Sequence, residues 1–310
     1  SDGSIGLSTA AVEMGQGVNM KLRQVVSTIF SVNIDKVRVE TSNTTRVANT
    51  SPTAASSAAD LNGKATEAAC MEILGRLKKT AAEELRHADF HDIDIINEEV
   101  LLYGEPTGIS WTQLVNKAFL TRKNLSSHAH YATPEIYFDR EINKGRAFNY
   151  HVYGTGIIEV TLDCLRGTYK IDSVKIVHDF GKSLNPIIDR GQAEGAVLQG
   201  IGWLTMEEVL YDTIGKLLTD SLSTYKIPDI YSAPGNIQIE FLQGSANPLG
   251  IFNSKAIGEP PLMYGIAAYF ALLNAMKAFR PERDFSLVAP LTPERVLLAL
   301  YRETKESVPV

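Results

Sequence analysis

The stretch Ile5-Gly-Leu-Ser-Thr-Ala-Ala-Val-Glu-Met-Gly-Gln-Gly17 runs directly into Val18, Leu22, Val25, Val26, Ile29 and Phe30. Ile5 to Val12 reads as a strand, Glu13 to Gly17 as a glycine-rich turn, and the apolar residues beyond as the stripe of an amphipathic helix. Val37-Arg-Val-Glu-Thr41 supplies a short strand after that helix. The order recurs in the second half of the chain. Ile158, Val160 and Leu162 alternate with Glu159, Thr161 and Asp163, a turn follows at Cys164 to Gly167, and the strand pattern resumes through Tyr169, Ile171, Val174 and Ile176. That second strand ends at His178-Asp-Phe-Gly181, and Asn185-Pro186 opens a helical stretch containing Gly191-Gln-Ala-Glu-Gly195. The expected fold class is α/β (α+β), with mixed sheets, packed helices and a faint trace of duplication. Asn143-Lys-Gly-Arg146 marks a boundary that gives two lobes, residues 1–145 and 146–310.

With 310 residues, 44% hydrophobic and 21% charged, the chain is long enough for a sizeable core. A formal charge of −6 without a dense basic run argues against nucleic acid as a partner. Cys70 and Cys164 are far apart and form no CxxC, so neither a disulfide framework nor a cysteine-ligated metal site is encoded; a reducing, cytoplasmic location is expected. No apolar run reads as a bilayer span and no signal peptide is evident, so no membrane partner is expected. The opening Ser1-Asp-Gly-Ser4, without methionine, reads as part of a longer product.

Four helix starts stand out: Gly15 to Gly17, Ser51-Pro52, Asn185-Pro186 and Glu259-Pro260. Each offers free N–H groups and the positive end of a helix dipole, so together they suit an anionic ligand. The fourth lies in Lys255-Ala-Ile-Gly-Glu-Pro-Pro-Leu-Met-Tyr-Gly265. Pro260 fits a first helical position, and the residue before a proline is pushed to extended dihedrals, which an N-cap needs. Glu259 is thereby aimed by covalent geometry. Gly104-Glu105-Pro106 repeats the tripeptide but runs into Thr107-Gly108 and reads as a turn before a capping box at Ser110 to Gln113. In Asn49 to Asp60, Ser51 is expected to cap a helix with Pro52 first inside it. Its Thr, Ser and Ala residues suit either close helix packing or approach of backbone and hydroxyls to a ligand.

Other signals are set aside. Gly15-Gln-Gly17 lacks the third glycine of a dinucleotide fingerprint. His128-Ala-His130 resembles a metal pair on a strand but has no third ligand. His178 reads as structural, Asp60 and Asp189 as capping or surface groups, and Trp111 and Trp203 as packing residues.

Glu13 to Gly17, Asn49 to Ser56, Asp179-Phe-Gly-Lys-Ser-Leu-Asn-Pro186, Gly191 to Gly195, Ser223-Thr-Tyr-Lys-Ile-Pro228 and Lys255 to Pro261 occur in the order seen in the xanthine dehydrogenase and aldehyde oxidase family. The chain resembles the C-terminal half of that family's molybdenum-cofactor-binding region, from about residue 5 to residue 300. The resemblance implies a two-lobed molybdopterin-binding domain and a molybdenum-pyranopterin cofactor, as molybdopterin itself or as a dinucleotide, with no direct protein ligand to the metal. It implies cofactor contacts from Gly15, Gln16, Gly17, Thr53, Ala54, Ala55, Ser56, Gln192, Lys255 and Gly258, and makes Glu259 the catalytic base. The reaction implied is hydroxylation of a purine-like heterocycle or an aldehyde, with oxygen from water. Iron–sulfur clusters and FAD belong to other domains or subunits. Those, the remaining molybdenum-domain segment, a small-molecule substrate and a second copy in a homodimer are the partners it allows. These 310 residues alone are expected to be inactive. A non-catalytic scaffold that kept the fold is the alternative, and its expected mark is loss of Glu259 or of the glycines around Gln16; both are present.

Overall fold

The structure, a computed structural model, describes residues 1–41, 43, 45 and 52–302. The chain divides into two units, each drawn from several segments. The first comprises Ser1–His151, Gly181–Ile188 and Ala246–Ala256; the second comprises Val152–Phe180, Asp189–Ser245 and Ile257–Val310.

In the first unit, β1 (Ile5–Thr9) and β2 (Val37–Thr41) pair in parallel, with Ile5 opposite Val37. Parallel neighbours need a crossover, and α1 (Val18–Phe30) supplies it. The expected strand to Val12 stops at Thr9, because the Thr9 hydroxyl accepts the Ala11 N–H at 3.2 Å and turns the chain out of the ladder. Gly17 precedes α1 in the left-handed region, with φ 78°. A Cβ there would lie 2.8 Å from Ile188, so conformation and space both require glycine.

The long helix α2 (Ala58–Leu85) begins later than expected. Pro52 is outside it, because Ala55 and Ser56 take left-handed φ values of 58° and 54° that no helix continues through. Ser51, the expected cap, lies outside the described residues. Next come β3 (Ile93–Ile96), β4 (Glu99–Leu102) and β5 (Glu105–Ser110), an antiparallel meander. Gly104-Glu105-Pro106 is not itself the expected turn. Tyr103 and Gly104, both at positive φ, make the two-residue hairpin turn, so Glu105 already belongs to a strand. The polar run from His87 to Asp92 likewise leads straight into β3, whose Ile93 is fully buried. The capping box on α3 (Trp111–Leu120) forms as expected. A short exposed hairpin, β6 (Tyr137–Asp139) with β7 (Lys144–Arg146), completes this part. Phe30, Leu77, Ile93, Val100, Trp111 and Leu114 lie at the centre of its core.

The second unit holds β8 (Gly154–Leu162) antiparallel to β9 (Tyr169–His178), the hairpin read from the sequence. After α4 (Pro186–Thr205), β10 (Ile237–Phe241) returns parallel to β9, so the sheet is mixed. Each unit therefore carries a β-α-β crossover. The Asn185 side-chain oxygen accepts the Ile188 N–H at 3.1 Å and caps α4, as expected. Two more helices, α5 (Ile266–Phe279) and α6 (Pro293–Tyr301), close the core around Leu272, Met276, Val296 and Leu300.

Two expectations fail in this unit. Pro260–Phe279 does have the length and apolarity of a bilayer span, 20 residues at mean hydropathy 1.3, because a 3-10 turn runs into α5 without a break. Ala268, Tyr269, Leu272 and Met276 are buried in the protein's own core, while Met263, Phe270 and Phe279 of the same segment are exposed. Trp203, expected to pack, is 49% exposed on α4.

Close backbone contact joins α4 to the turn before α5. A Cβ on Gly200 would collide with the Leu262 carbonyl, and one on Gly265 with the Gly200 backbone. Backbone cannot move aside as a side-chain end can. Gly200→Ala is expected to destabilise the chain by about 1–3 kcal/mol, read as a shift in the urea midpoint at unchanged m-value.

Candidate functional site

In the first unit the loop from Val12 to Gly17 is built around Glu13. Its Oε1 accepts the N–H groups of Gly15 and Gly17 at 2.9 Å, and Oε2 accepts that of Asn19 at 3.0 Å. The donors expected to be free at this helix start are thus taken by the chain's own carboxylate. Burial pulls the Glu13 carboxyl upward, but the Asn19, Gly17 and Gly15 N–H groups outweigh it and hold the pKa below the ordinary 4.5. A depressed carboxyl contributes stability that is complete above its unfolded pKa and lost as pH falls through the lower folded value. Glu13→Gln is accordingly expected to cost about 1 kcal/mol at pH 7, with the difference in melting temperature from wild type shrinking once pH drops below 4.5.

The Gln16 amide is held inside this loop, donating to the Val12 carbonyl at 2.7 Å and accepting the Met14 N–H at 2.6 Å. Thr53 joins it, since its hydroxyl accepts the Val12 N–H at 2.8 Å. Gln16 and Thr53 are therefore brought together, although the sequence separates them widely. Ala54 donates its N–H to the Pro52 carbonyl at 2.9 Å, and Ala55 and Ser56 follow with left-handed backbones. Lys255 donates to the His151 carbonyl at 3.1 Å, and the next N–H, that of Ala256, donates to the Tyr150 hydroxyl at 2.8 Å.

Tyr150 in turn donates to the Asp60 carboxylate. Burial raises the Asp60 pKa, against the opposing pull of the Tyr150 hydrogen bond and of Lys21 and Lys64. Asp60 is thus neither a cap nor a surface group, and Asp189 on α4 is fully buried. The pairing of Asp60 with Tyr150 crosses 90 positions, and no spacing rule announces it. The small-residue run ending at Asp60 was the one available sign.

The second unit holds the other expected site residues. Gln192 is half-buried on α4, while Gly258 and Glu259 are exposed. Pro260 takes the first position of a helical turn, as read from the sequence, but the turn is 3-10 over Pro260–Gly265. Glu259 has φ −97° and ψ −40°, helical where extended was expected, and its side chain makes no capping hydrogen bond. The reason is tertiary. Its carbonyl accepts the Leu262 N–H at 3.1 Å, and Leu262 is pinned against Gly200, so docking overrides the preference of a residue before proline.

Among the described residues no group of three or more His, Cys, Asp or Glu is arranged to hold a metal ion. His128 and His130 lie in irregular chain rather than on a strand. What these loops present is amide, hydroxyl and backbone.

The family model for the molybdopterin cofactor-binding domain matches residues 1–234. The chain belongs to the molybdopterin cofactor-binding domain family. Relatives of this family member include xanthine dehydrogenase of Drosophila pseudoobscura pseudoobscura, 38% identical over 303 residues that cover 96% of this chain and 21% of that protein. Xanthine dehydrogenase/oxidase of Mus musculus is 39% identical over 302 residues, with coverage of 95% and 21%. The chain thus spans about a fifth of the length of the curated relatives it matches. Quinoline 2-oxidoreductase from Pseudomonas putida 86 superposes with a TM-score of 0.82 at 24% identity, over 96% of this chain and 37% of its own. Aldehyde oxidoreductase from Desulfovibrio gigas gives 0.74 at 23%, over 97% and 29%. At such identities the two structures speak for the fold, a molybdopterin-domain fold of mixed sheets and helices.

The residues present fit a molybdopterin. The Asn19 side-chain oxygen, on the first turn of α1, is buried with no hydrogen-bond partner among the described residues, the kind of group that a pterin N–H satisfies. A Cβ on Gly15 would meet nothing within 4 Å among the described residues.

Proposed function

We propose that the protein containing this chain is a xanthine dehydrogenase-like molybdenum hydroxylase acting on a purine-like heterocycle or an aldehyde, with oxygen derived from water. The observation that carries this reading is Glu259. It stands exposed at the head of a turn started by two prolines, whose rings fix the backbone directly after it. Relatives named xanthine dehydrogenase, 38% identical across nearly the whole chain, support it.

When bound, the molybdenum-pyranopterin supplies the two-electron redox chemistry of hydroxylation. Gly15, Gln16, Gly17, Thr53, Ala54, Ala55, Ser56, Gln192, Lys255 and Gly258 are the residues we assign to holding it. On binding, the Gln16 amide exchanges its loop partners for the ligand, and Asn19 accepts from the pterin. Glu259 takes the proton from the water-derived nucleophile, which requires the carboxylate within hydrogen-bond reach of that proton. Residues 1–145 and 146–310 serve as the two lobes of the domain. The dinucleotide form of the pterin, a homodimer in the cytoplasm, and iron–sulfur and flavin domains or subunits as electron acceptors complete the reading.

The test is metal analysis of the intact protein together with assays on purines and aldehydes in parallel. Stoichiometric molybdenum with turnover of one of these classes is expected. A metal-free protein, or one that turns over neither class, would overturn it.

A further inference from the structure

Within the second unit, Glu259 is joined through rigid chain to a hydrogen-bonded pair, half-buried Tyr264 with fully buried His178, that the reaction as described does not use. The Tyr264 hydroxyl lies 2.7 Å from Nδ1 of His178, and the two rings meet edge to face with centroids 5.7 Å apart. His178 is fully buried at the end of β9, where it also meets the edge of Phe180 at 4.6 Å. The adjoining Asp179 is 1% exposed and accepts from the Ser245 hydroxyl. Burial, and after it the charge of Asp179, pushes the Tyr264 hydroxyl up to about 12, so tyrosine stays protonated at any working pH.

Strand β8 is shaped to admit this tyrosine. A Cβ on Gly154 would overlap the Tyr264 hydroxyl, and one on Gly156 would stand 3.1 Å from the Tyr264 Cβ. The strand thus gives up two side chains where the ring enters. Immediately after Tyr264, Gly265 lies backbone to backbone on Gly200 of α4.

Between that anchor and Glu259 the chain is short and stiff. Pro260 and Pro261 have φ set by their rings, which leaves Leu262 and Met263 as the intervening residues with an ordinary backbone. Leu262 is itself tied to the Glu259 carbonyl. Fixing Tyr264 therefore fixes the Cα of Glu259. An apolar pair would fill the same volume without the cost of burying a hydroxyl and an imidazole. What a hydrogen-bonded polar pair adds is a single geometry, because a rotated ring loses its partner.

We infer that Tyr264 and His178 are positioning residues for Glu259, holding the 3-10 turn at the height and rotation from which its carboxylate works. The inference rests on the reading of Glu259 as catalytic base. The test uses the intact enzyme that contains these residues, with Tyr264→Phe, which removes only the hydroxyl, His178→Leu, which removes the partner, and His178→Asn, which keeps a hydrogen-bonding amide near the Nδ1 position.

Amide hydrogen exchange over residues 257–265, read by mass spectrometry without substrate, is expected to quicken about tenfold in Tyr264→Phe and His178→Leu as local opening becomes easier. In the same variants kcat is expected to fall about 10- to 100-fold, the scale of a small misplacement of a catalytic group. KM and molybdenum content should stay within about twofold of wild type on this account. His178→Asn should recover most of both exchange protection and kcat. Unchanged exchange and kcat in Tyr264→Phe would sink the inference. So would a loss of kcat that merely follows loss of molybdenum, or a His178→Asn enzyme as poor as His178→Leu. A wild-type rate in Glu259→Gln is a separate result that removes the underlying reading, whereas a wild-type rate in Tyr264→Phe removes the positioning role alone.

Discussion

Glu259→Gln in the intact enzyme is expected to keep its molybdenum and lose turnover by several orders of magnitude. Glutamine has nearly the same shape and still forms hydrogen bonds, but it cannot take a proton at any working pH. Loss of a general base by itself removes roughly 10²–10⁴ in rate. Here the loss is expected to be larger, because proton removal also generates the nucleophile and a covalent step depends on it. Glu259 is exposed and precedes a turn that docks through Gly200, Tyr264 and Gly265. An exposed substitution of this kind shifts stability by about 0.5 kcal/mol or less. The measurement is kcat alongside molybdenum per chain and melting temperature. Near-normal turnover in protein of normal metal content refutes the assignment of Glu259 as base.

The parts of this fold that were legible in the sequence are those governed by local rules. The stripe from Val18 to Phe30 became α1 to the residue, Val37 to Thr41 became β2, and the Ser110 capping box formed as spaced. Where long-range contact competes with local preference, local reading failed. Glu259 is helical although it precedes a proline, because Leu262 is pinned on Gly200. Pro52 starts no helix, because the chain first passes through left-handed Ala55 and Ser56. At the candidate site, residue types were readable but their partners were not. Gln16 and Glu13 stand in an obvious glycine turn, yet nothing in their spacing says that Glu13 accepts the N–H groups of Gly15, Gly17 and Asn19. Tyr150 and Tyr264 carry no local signature at all, since each acquires its meaning from a residue about 90 positions away, Asp60 and His178 respectively.

Trp111→Ala is the stability change with the largest expected effect, about 3–5 kcal/mol and toward the upper end of that range for a core tryptophan. Trp111 is 2% exposed, its ring lies 5.4 Å from that of Phe30, and its indole N–H donates to the Gly3 carbonyl at 2.8 Å. Truncation opens a cavity beside Phe30 and also strands a buried carbonyl, and the second loss adds to the first because no water replaces the indole in an apolar pocket. Trp203→Ala is the control. That residue sits in an equally apolar helical pattern but is 49% exposed, so its removal is expected to cost under about 1 kcal/mol. Urea unfolding of both variants, followed by far-ultraviolet circular dichroism because each loses one of the chain's two tryptophans, separates them. Equal midpoints would contradict the placement of Trp111 in the core. A large gap would show why helical periodicity alone could not rank the two: it locates a face, and only the opposing layer decides whether that face is dry.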